Sequence, residues 1–190
     1  ERIMKAAAGL GFKLKLHADE IIPLKGAELA AKMNAHSAEH LMAISDEGIT
    51  ALAKSGTVAV LLPATSFFLM SKIYAPAKKM IEEGVRVALA TDYNPGSSPT
   101  ENLQMAMWAA CYKMKLLPAQ ILRGVTINAA YAIAREKTIG SIEEGKQADL
   151  VIFGAPNIDF LVYHFGVNSV DQVWKKGKLV AEKGQLVYKN

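Results

Sequence analysis

The 190-residue sequence is 51% hydrophobic, carries a net charge of +4 and contains a single cysteine, Cys111. A chain of this length and apolar content can bury a substantial core, whereas a lone cysteine excludes both a disulfide framework and a cysteine-based zinc knuckle and predicts a reducing, cytoplasmic setting. No secretory leader is expected, wholly apolar stretches such as residues 58–63 are far too short to cross a bilayer, and the lysines are scattered apart from the pairs Lys78-Lys79 and Lys175-Lys176, so neither a membrane nor a nucleic acid is expected as a partner.

The opening run Glu1-Arg2-Ile3-Met4-Lys5-Ala6-Ala7-Ala8-Gly9 reads as the tail of a helix stopped by Gly9, without an initiator methionine, so the sequence is expected to start within a fold. Apolar, strand-like runs follow at residues 11–16, 34–39, 57–62 and 85–91, each succeeded by a helical pattern. Between the second and third, residues 46–54 place Ile49, Leu52 and Ala53 on one helix face, ended by Ser55-Gly56; between the third and fourth, residues 75–83 are stopped by Gly84. An order of βαβαβαβα with repeats of this length implies a parallel sheet with crossover helices, either doubly wound or part of a (β/α)8 barrel.

Ser98-Pro99-Thr100-Glu101 predicts a capping box opening a long helix, with Leu103, Met107, Ala110 and Met114 as core positions. A second segment restarts at Pro118 and continues the core through Ile121, Val125 and Ile133; Met105, Met107 and Met114 are expected to fill core space. From Ile139 the character changes. Residues 142–153 form a turn leading into a strand, residues 170–180 a hairpin turning at Lys176-Gly177, and residues 185–188, ending at Tyr188, a last strand.

Two segments carry chemistry: Leu16-His17-Ala18-Asp19-Glu20 after the first run and Ala90-Thr91-Asp92-Tyr93-Asn94-Pro95-Gly96 after the fourth. Alternation sets Phe12, Leu14 and Leu16 on a helix-facing side and Lys13, Lys15 and His17 on the other, with His17 at the strand end where barrel enzymes keep their catalytic groups. Asp92 suits an Asx turn as well as a metal ligand, and Asn94, Gly96 and Ser97 suit a plain turn as well as an anion-holding one. His40, ending the second run, is a better functional candidate than His36 or His164, which are expected to be structural or surface residues, and Glu39 fits an ion-pair partner. Imidazole and carboxylate groups at successive strand ends are what metal-assisted hydrolysis requires, although these ligand types suit zinc, iron and manganese alike.

In order and spacing, His17-Ala18-Asp19-Glu20, Ser37-Ala38-Glu39-His40, Thr91-Asp92 with Asn94-Pro95-Gly96-Ser97-Ser98-Pro99, and Asn102-Leu103-Gln104-Met105 with Met107 resemble the C-terminal half of the imidazolonepropionase family of metal-dependent amidohydrolases. The His-x-Asp-Glu element is shared with several deaminases, whereas the Asp-x-Asn-Pro-Gly element is much more specific. Residues 139–151 are similar to that superfamily's return into its β module. The resemblance implies an α/β fold: the C-terminal half of a metal-dependent hydrolase (β/α)8 TIM barrel, strands five to eight with their helices, over residues 1–138, and part of a small β-sandwich over residues 139–190. It implies that His17 and Asp92 ligate one divalent ion, zinc or iron, that Glu20, His40 and Asp92 are catalytic, and that Glu20, Asn94, Gly96 and Ser97 contact the substrate. The implied substrate is the small molecule 4-imidazolone-5-propanoate, whose cyclic amide is opened to N-formimino-L-glutamate in histidine degradation, by an enzyme that is a homodimer when intact.

The family completes its metal site with a His-x-His pair from the first barrel strand, which these residues lack. The sequence is therefore expected to be part of a protein about twice its length, and by itself to bind zinc weakly and hydrolyse nothing. Two other readings stay open: a nucleobase deaminase of the same superfamily, and a non-catalytic half-barrel that works only by association through its unpaired edges.

Overall fold

Arg2–Gly9 forms the first helix, α1, and the computed structural model describes residues 1–187 of the chain. Strands and helices then alternate: β1 (Lys15–Ala18), α2 (Gly26–Lys32), β2 (Ser37–His40), α3 (Asp46–Ser55), β3 (Val58–Leu61), α4 (Pro63–Phe68), α5 (Ala77–Glu82) and β4 (Val87–Leu89). The four strands are parallel and adjacent in sequence order. This is the expected half-barrel arrangement, shorter in each strand than the apolar runs suggested.

Register explains which residues meet. Leu16, Ala38, Ala59 and Val87 are successive neighbours across the sheet, and with Ala18, Leu61 and Leu89 they join the helix residues Ala27, Ala30, Ile49, Leu52 and Met80 in the main core. The many alanines let the helices approach the sheet closely, where larger side chains would hold them off. On the opposite face the register runs His17, Glu39, Val60, Ala88. That face is apolar under β3 and β4, where Val58, Val60 and Ala88 pack against Ala129, Tyr131 and Ala132. It is polar at β1 and β2, where Lys15 lies 3.4 Å from Glu39 and the Ser37 hydroxyl donates to the same carboxylate at 2.5 Å. Glu39 thus neutralises the lysine that alternation placed beside His17. Phe12 departs from the expected pattern: it is 66% exposed, because Gly11 at φ +80 turns the chain before β1 begins.

After β4 come α6 (Leu103–Met114), α7 (Pro118–Val125) and α8 (Ile127–Ala132). The predicted capping box does not form. Asn102 is the cap of α6, its Oδ1 accepting from the Gln104 and Met105 N–H groups at 3.0 and 3.3 Å, because Ser98 is drawn into the preceding turn, where its buried hydroxyl donates to the Thr91 carbonyl at 2.6 Å. Met107, Ala110, Met114 and Ile121 are buried as expected; Ile133 is 55% exposed, since α8 ends at Ala132 and packs through its alanines. Helix α4 was not expected, although Pro63 directly after an apolar run is a helix-start signal.

The remainder comprises β5 (Leu150–Phe153), the short helix α9 (Phe160–Tyr163), β6 (Val170–Lys175), β7 (Lys178–Glu182) and β8 (Gln185–Leu186), the strands forming an antiparallel sheet in sequence order. The hairpin turns at Lys176 (φ +52) and Gly177 (φ +73), both left-handed as a two-residue type I′ turn requires. Asp149 fastens this turn to the start of β5 by pairing with Lys175 and accepting from the Lys176 N–H at 2.9 Å. The last expected strand is present at Gln185–Leu186, and Tyr188 lies outside the described residues. Gln104 of α6 joins the two parts, donating to Asn168 Oδ1 at 2.9 Å and accepting from the Ser169 N–H at 3.0 Å. Among the described residues no helix is long and apolar enough to cross a membrane.

Candidate metal and catalytic centre

Three side chains converge where β1 and β2 end. His17 Nε2 lies 2.9 Å from Glu20 Oε2, the other Glu20 oxygen lies 3.4 Å from His40 Nδ1, and the two imidazole centroids are 4.2 Å apart. Potential ligand atoms of all three fall within 4.8 Å of one another, the one such group of histidines, cysteines and acids found among the described residues. The sheet register brings β1 and β2 side by side, and left-handed backbone at Asp19 (φ +47), His40 (φ +72) and Leu41 (φ +61) turns the chain sharply at both strand ends.

His40 is buried, and its Nδ1 has no hydrogen-bond partner, the 3.4 Å approach of Glu20 being too long to satisfy it. Burial pushes the His40 imidazole below its ordinary pKa of 6.5, His17 pushes the same way, and Glu20, Asp92 and Glu39 oppose the shift. The shift favours the neutral imidazole, and its unpartnered Nδ1 is available to accept a proton or bind a metal. His17 is its exposed counterpart.

Asp92 stands just beyond β4, itself left-handed at φ +55, and outside the three-residue group. Its Oδ2 accepts a 2.9 Å hydrogen bond from Thr65 of α4, a residue only 1% exposed, leaving Oδ1 free to turn elsewhere. The following turn is closed by Asn94: its Oδ1 accepts from the Gly96 N–H (2.9 Å) and the Ser97 N–H (2.8 Å), and its Nδ2 donates to the Asp92 carbonyl (2.7 Å) and Ser97 Oγ (3.0 Å). The backbone donors that an anion would use are here engaged within the turn. His36 and His164 stand apart from the cluster, His164 exposed against the Phe160 ring at 4.8 Å.

Of the residues singled out from sequence, His17, Glu20 and His40 are therefore brought together, Asp92 sits close enough to act on His40 electrostatically, and Asn94, Gly96 and Ser97 form the turn behind Asp92. Thr65 and Asp19 were missed; the first had Pro63 as its only signal, and the second lay in plain sight between His17 and Glu20. Two imidazoles and a carboxylate, one nitrogen buried without a partner, form a donor set suited to zinc or iron.

The amidohydrolase family profile matches residues 3–180. An imidazolonepropionase of Treponema denticola is 97% identical over all 190 residues, which make up 46% of that protein, and one of Alkaliphilus oremlandii is 58% identical over 186 residues, 98% of this chain and 44% of the relative. The chain thus spans about half the length of the curated relatives it matches. Among solved structures, a zinc-bound adenosine deaminase from Xanthomonas campestris superposes with a TM-score of 0.83 at 24% identity, over 100% of this chain and 50% of that one. A zinc complex of atrazine chlorohydrolase from Arthrobacter aurescens superposes at 0.76 and 18% identity, over 98% of this chain and 48% of that one. These likenesses establish the half-barrel fold with its antiparallel sheet.

Proposed function

The chain belongs to the amidohydrolase family, and from that premise we propose that it carries the C-terminal half of the active site of an imidazolonepropionase, which hydrolyses the cyclic amide of 4-imidazolone-5-propanoate to N-formimino-L-glutamate in histidine degradation. The observation that carries this reading is the convergence of His17, Glu20 and His40 on adjacent strand ends, with Asp92 held nearby by Thr65. Residues 1–138 are the half-barrel and residues 139–190 part of the β-sandwich. The remaining ligands and barrel strands come from the other half of a protein of the relatives' length.

His17 and Asp92 would hold the single zinc or iron ion. Such an ion, when bound, supplies Lewis acidity and lowers the pKa of water. His40, its neutral form favoured by burial, accepts the proton of the attacking water together with Asp92. The water oxygen bonds to the ring carbonyl carbon, the carbon–nitrogen bond of the cyclic amide breaks, and the proton taken from the water passes from His40 to Glu20, whose Oε1 lies 3.4 Å from His40 Nδ1, and from Glu20 to the departing nitrogen. Its place between the two imidazoles, within hydrogen-bond distance of His17, suits a group that first orients the ring nitrogen and then protonates it. Asn94, Gly96 and Ser97 take up the substrate at the far side of Asp92, exchanging hydrogen bonds of their own turn for bonds to the ligand. The enzyme is proposed to work in the cytoplasm as a homodimer, which sedimentation of the intact protein tests.

Turnover of imidazolone by the intact protein, read as loss of its absorbance, is the expected result. Glu20→Gln should retain the metal and lose turnover, whereas His17→Ala should lose the metal. Release of ammonia from nucleobases in place of ring opening would overturn the assignment in favour of a deaminase.

A further inference from the structure

Strand geometry alone would keep His17 and Glu20 apart. Successive side chains of an extended strand point to opposite faces, so residues three apart diverge; yet His17 Nε2 and Glu20 Oε2 are 2.9 Å apart. The chain turns at Asp19, whose φ of +47 is a left-handed conformation that Asn and Asp tolerate better than most non-glycine residues.

Asp19 is buried, and both oxygens of its side chain are engaged. Oδ1 accepts from the Leu24 N–H at 2.8 Å and the Gly26 N–H at 3.0 Å, and Oδ2 accepts from the Ala27 N–H at 2.8 Å. Its backbone carbonyl accepts from the Ala43 N–H at 2.7 Å, three residues past His40, while the Ala18 carbonyl accepts from Leu41 at 3.0 Å. Gly26 closes the loop against β1 so tightly that a Cβ there would lie 2.8 Å from the Ala18 Cβ. One residue therefore fastens the loop between β1 and α2 and ties it to the segment just beyond β2.

We infer that Asp19 is a positioning residue for the reaction: its left-handed backbone and its three-bonded carboxylate hold Glu20 between His17 and His40. The inference rests on the function proposed above, because it concerns the placement of the proposed proton carrier. A carboxylate that merely stabilised the loop would act independently of Glu20.

A double-mutant cycle in the intact, metal-loaded hydrolase separates the two. Asp19→Ala should lower kcat about 100-fold, the scale of a misplacement of about 1 Å, with KM changed about threefold or less. Glu20→Gln should then cost only a few-fold further in the Asp19→Ala background, against its full penalty in the wild-type background, since two residues serving one function are not additive. Asp19→Asn tolerates the left-handed backbone and keeps one acceptor oxygen, so it should lose about 10-fold, and it carries the cycle if Asp19→Ala does not fold. A structure of the Asp19 variant should show His17 and Glu20 beyond hydrogen-bond reach, about 3.2 Å. Penalties that multiply, or a His17–Glu20 contact left intact, would overturn the inference. A wild-type protein that opens no imidazolone ring would sink the functional reading instead, leaving the His17–Glu20 separation in the variant to decide the inference alone.

Discussion

The barrel strand ends and the β module both place non-glycine residues in left-handed backbone, for opposite reasons. In the module these are Lys176 and Lys183, each followed by a left-handed glycine, Gly177 or Gly184, at a hairpin turn. At the strand ends they are Asp19, His40, Leu41 and Asp92. Others, such as Lys25 and Lys115, cap helices. A left-handed non-glycine residue costs roughly 1–2 kcal/mol. In the hairpins the side chain contributes little and glycine would serve, whereas at the strand ends the conformation places the side chains proposed to act in the site, with Leu41 beside them in the core. Asp19 offsets its cost with three hydrogen bonds, Asp92 is held by Thr65, and His40 and Leu41 are locked by burial.

The contrast is sharpest in activity. Asp92→Asn in the intact enzyme should lower kcat by about 10³-fold, in the range for loss of a group that moves protons in the transition state, while Lys176→Gly should leave kcat unchanged. A Lys176→Gly variant with impaired turnover would break the division between aimed and merely turning residues. Next in size, Thr65→Val should weaken zinc binding by about 10- to 100-fold, measured by chelator competition, with Thr65→Ser restoring it, because only the hydroxyl donates to Asp92. Equal affinity of Thr65→Val and wild type would show that Asp92 needs no such support.

Stability effects are smaller. Gly177→Ala forces a Cβ into left-handed backbone and should destabilise by about 1 kcal/mol in denaturant titrations, whereas Lys176→Gly should fall within about 0.5 kcal/mol of wild type.

Acid should separate the regions with the least perturbation. Burial holds the His40 pKa below 6.5, so the unfolded chain takes up that proton first, and metal-free protein loses stability at the strand ends as the pH falls below 6.5. Asp149 behaves differently: its hydrogen bonds with Lys175 and the Lys176 N–H hold it down to about 2 from the ordinary 3.8, so its contribution is complete above 3.8 and disappears as the pH falls toward 2. Amide hydrogen exchange should therefore quicken at Leu41 at a higher pH than at Lys176, and the reverse order would contradict this account.

Much of this was legible in the residues themselves. The four apolar runs, the glycine stops at Gly56 and Gly84, and the Lys176-Gly177 turn follow from local preferences, because burial periodicity and left-handed glycine leave their mark within a few residues. The chemistry of His17, Glu20, His40 and Asp92 was legible as residue types at strand ends. Which of them meet directly was not, since His17, Glu20 and His40 form the close group while Asp92 is held beside it by a threonine 27 positions away, on a helix with Pro63 as its only sequence signal. The start of α6 was misread because a hydroxyl that looked like a helix cap had a better partner in the carbonyl of Thr91.

The amino-acid sequence by itself determined the order of strands and helices, the residue types at the strand ends and the side of β1 that His17 occupies, since each depends on local dihedral preference and alternation. The tertiary structure alone decided that Glu20 rejoins His17 across a strand alternation that should separate them, that Asp92 is anchored from α4, and that burial lowers the His40 pKa. Those outcomes depend on hydrogen bonds and burial between segments far apart in the chain, which give a strained conformation its stability only after the fold has closed around it.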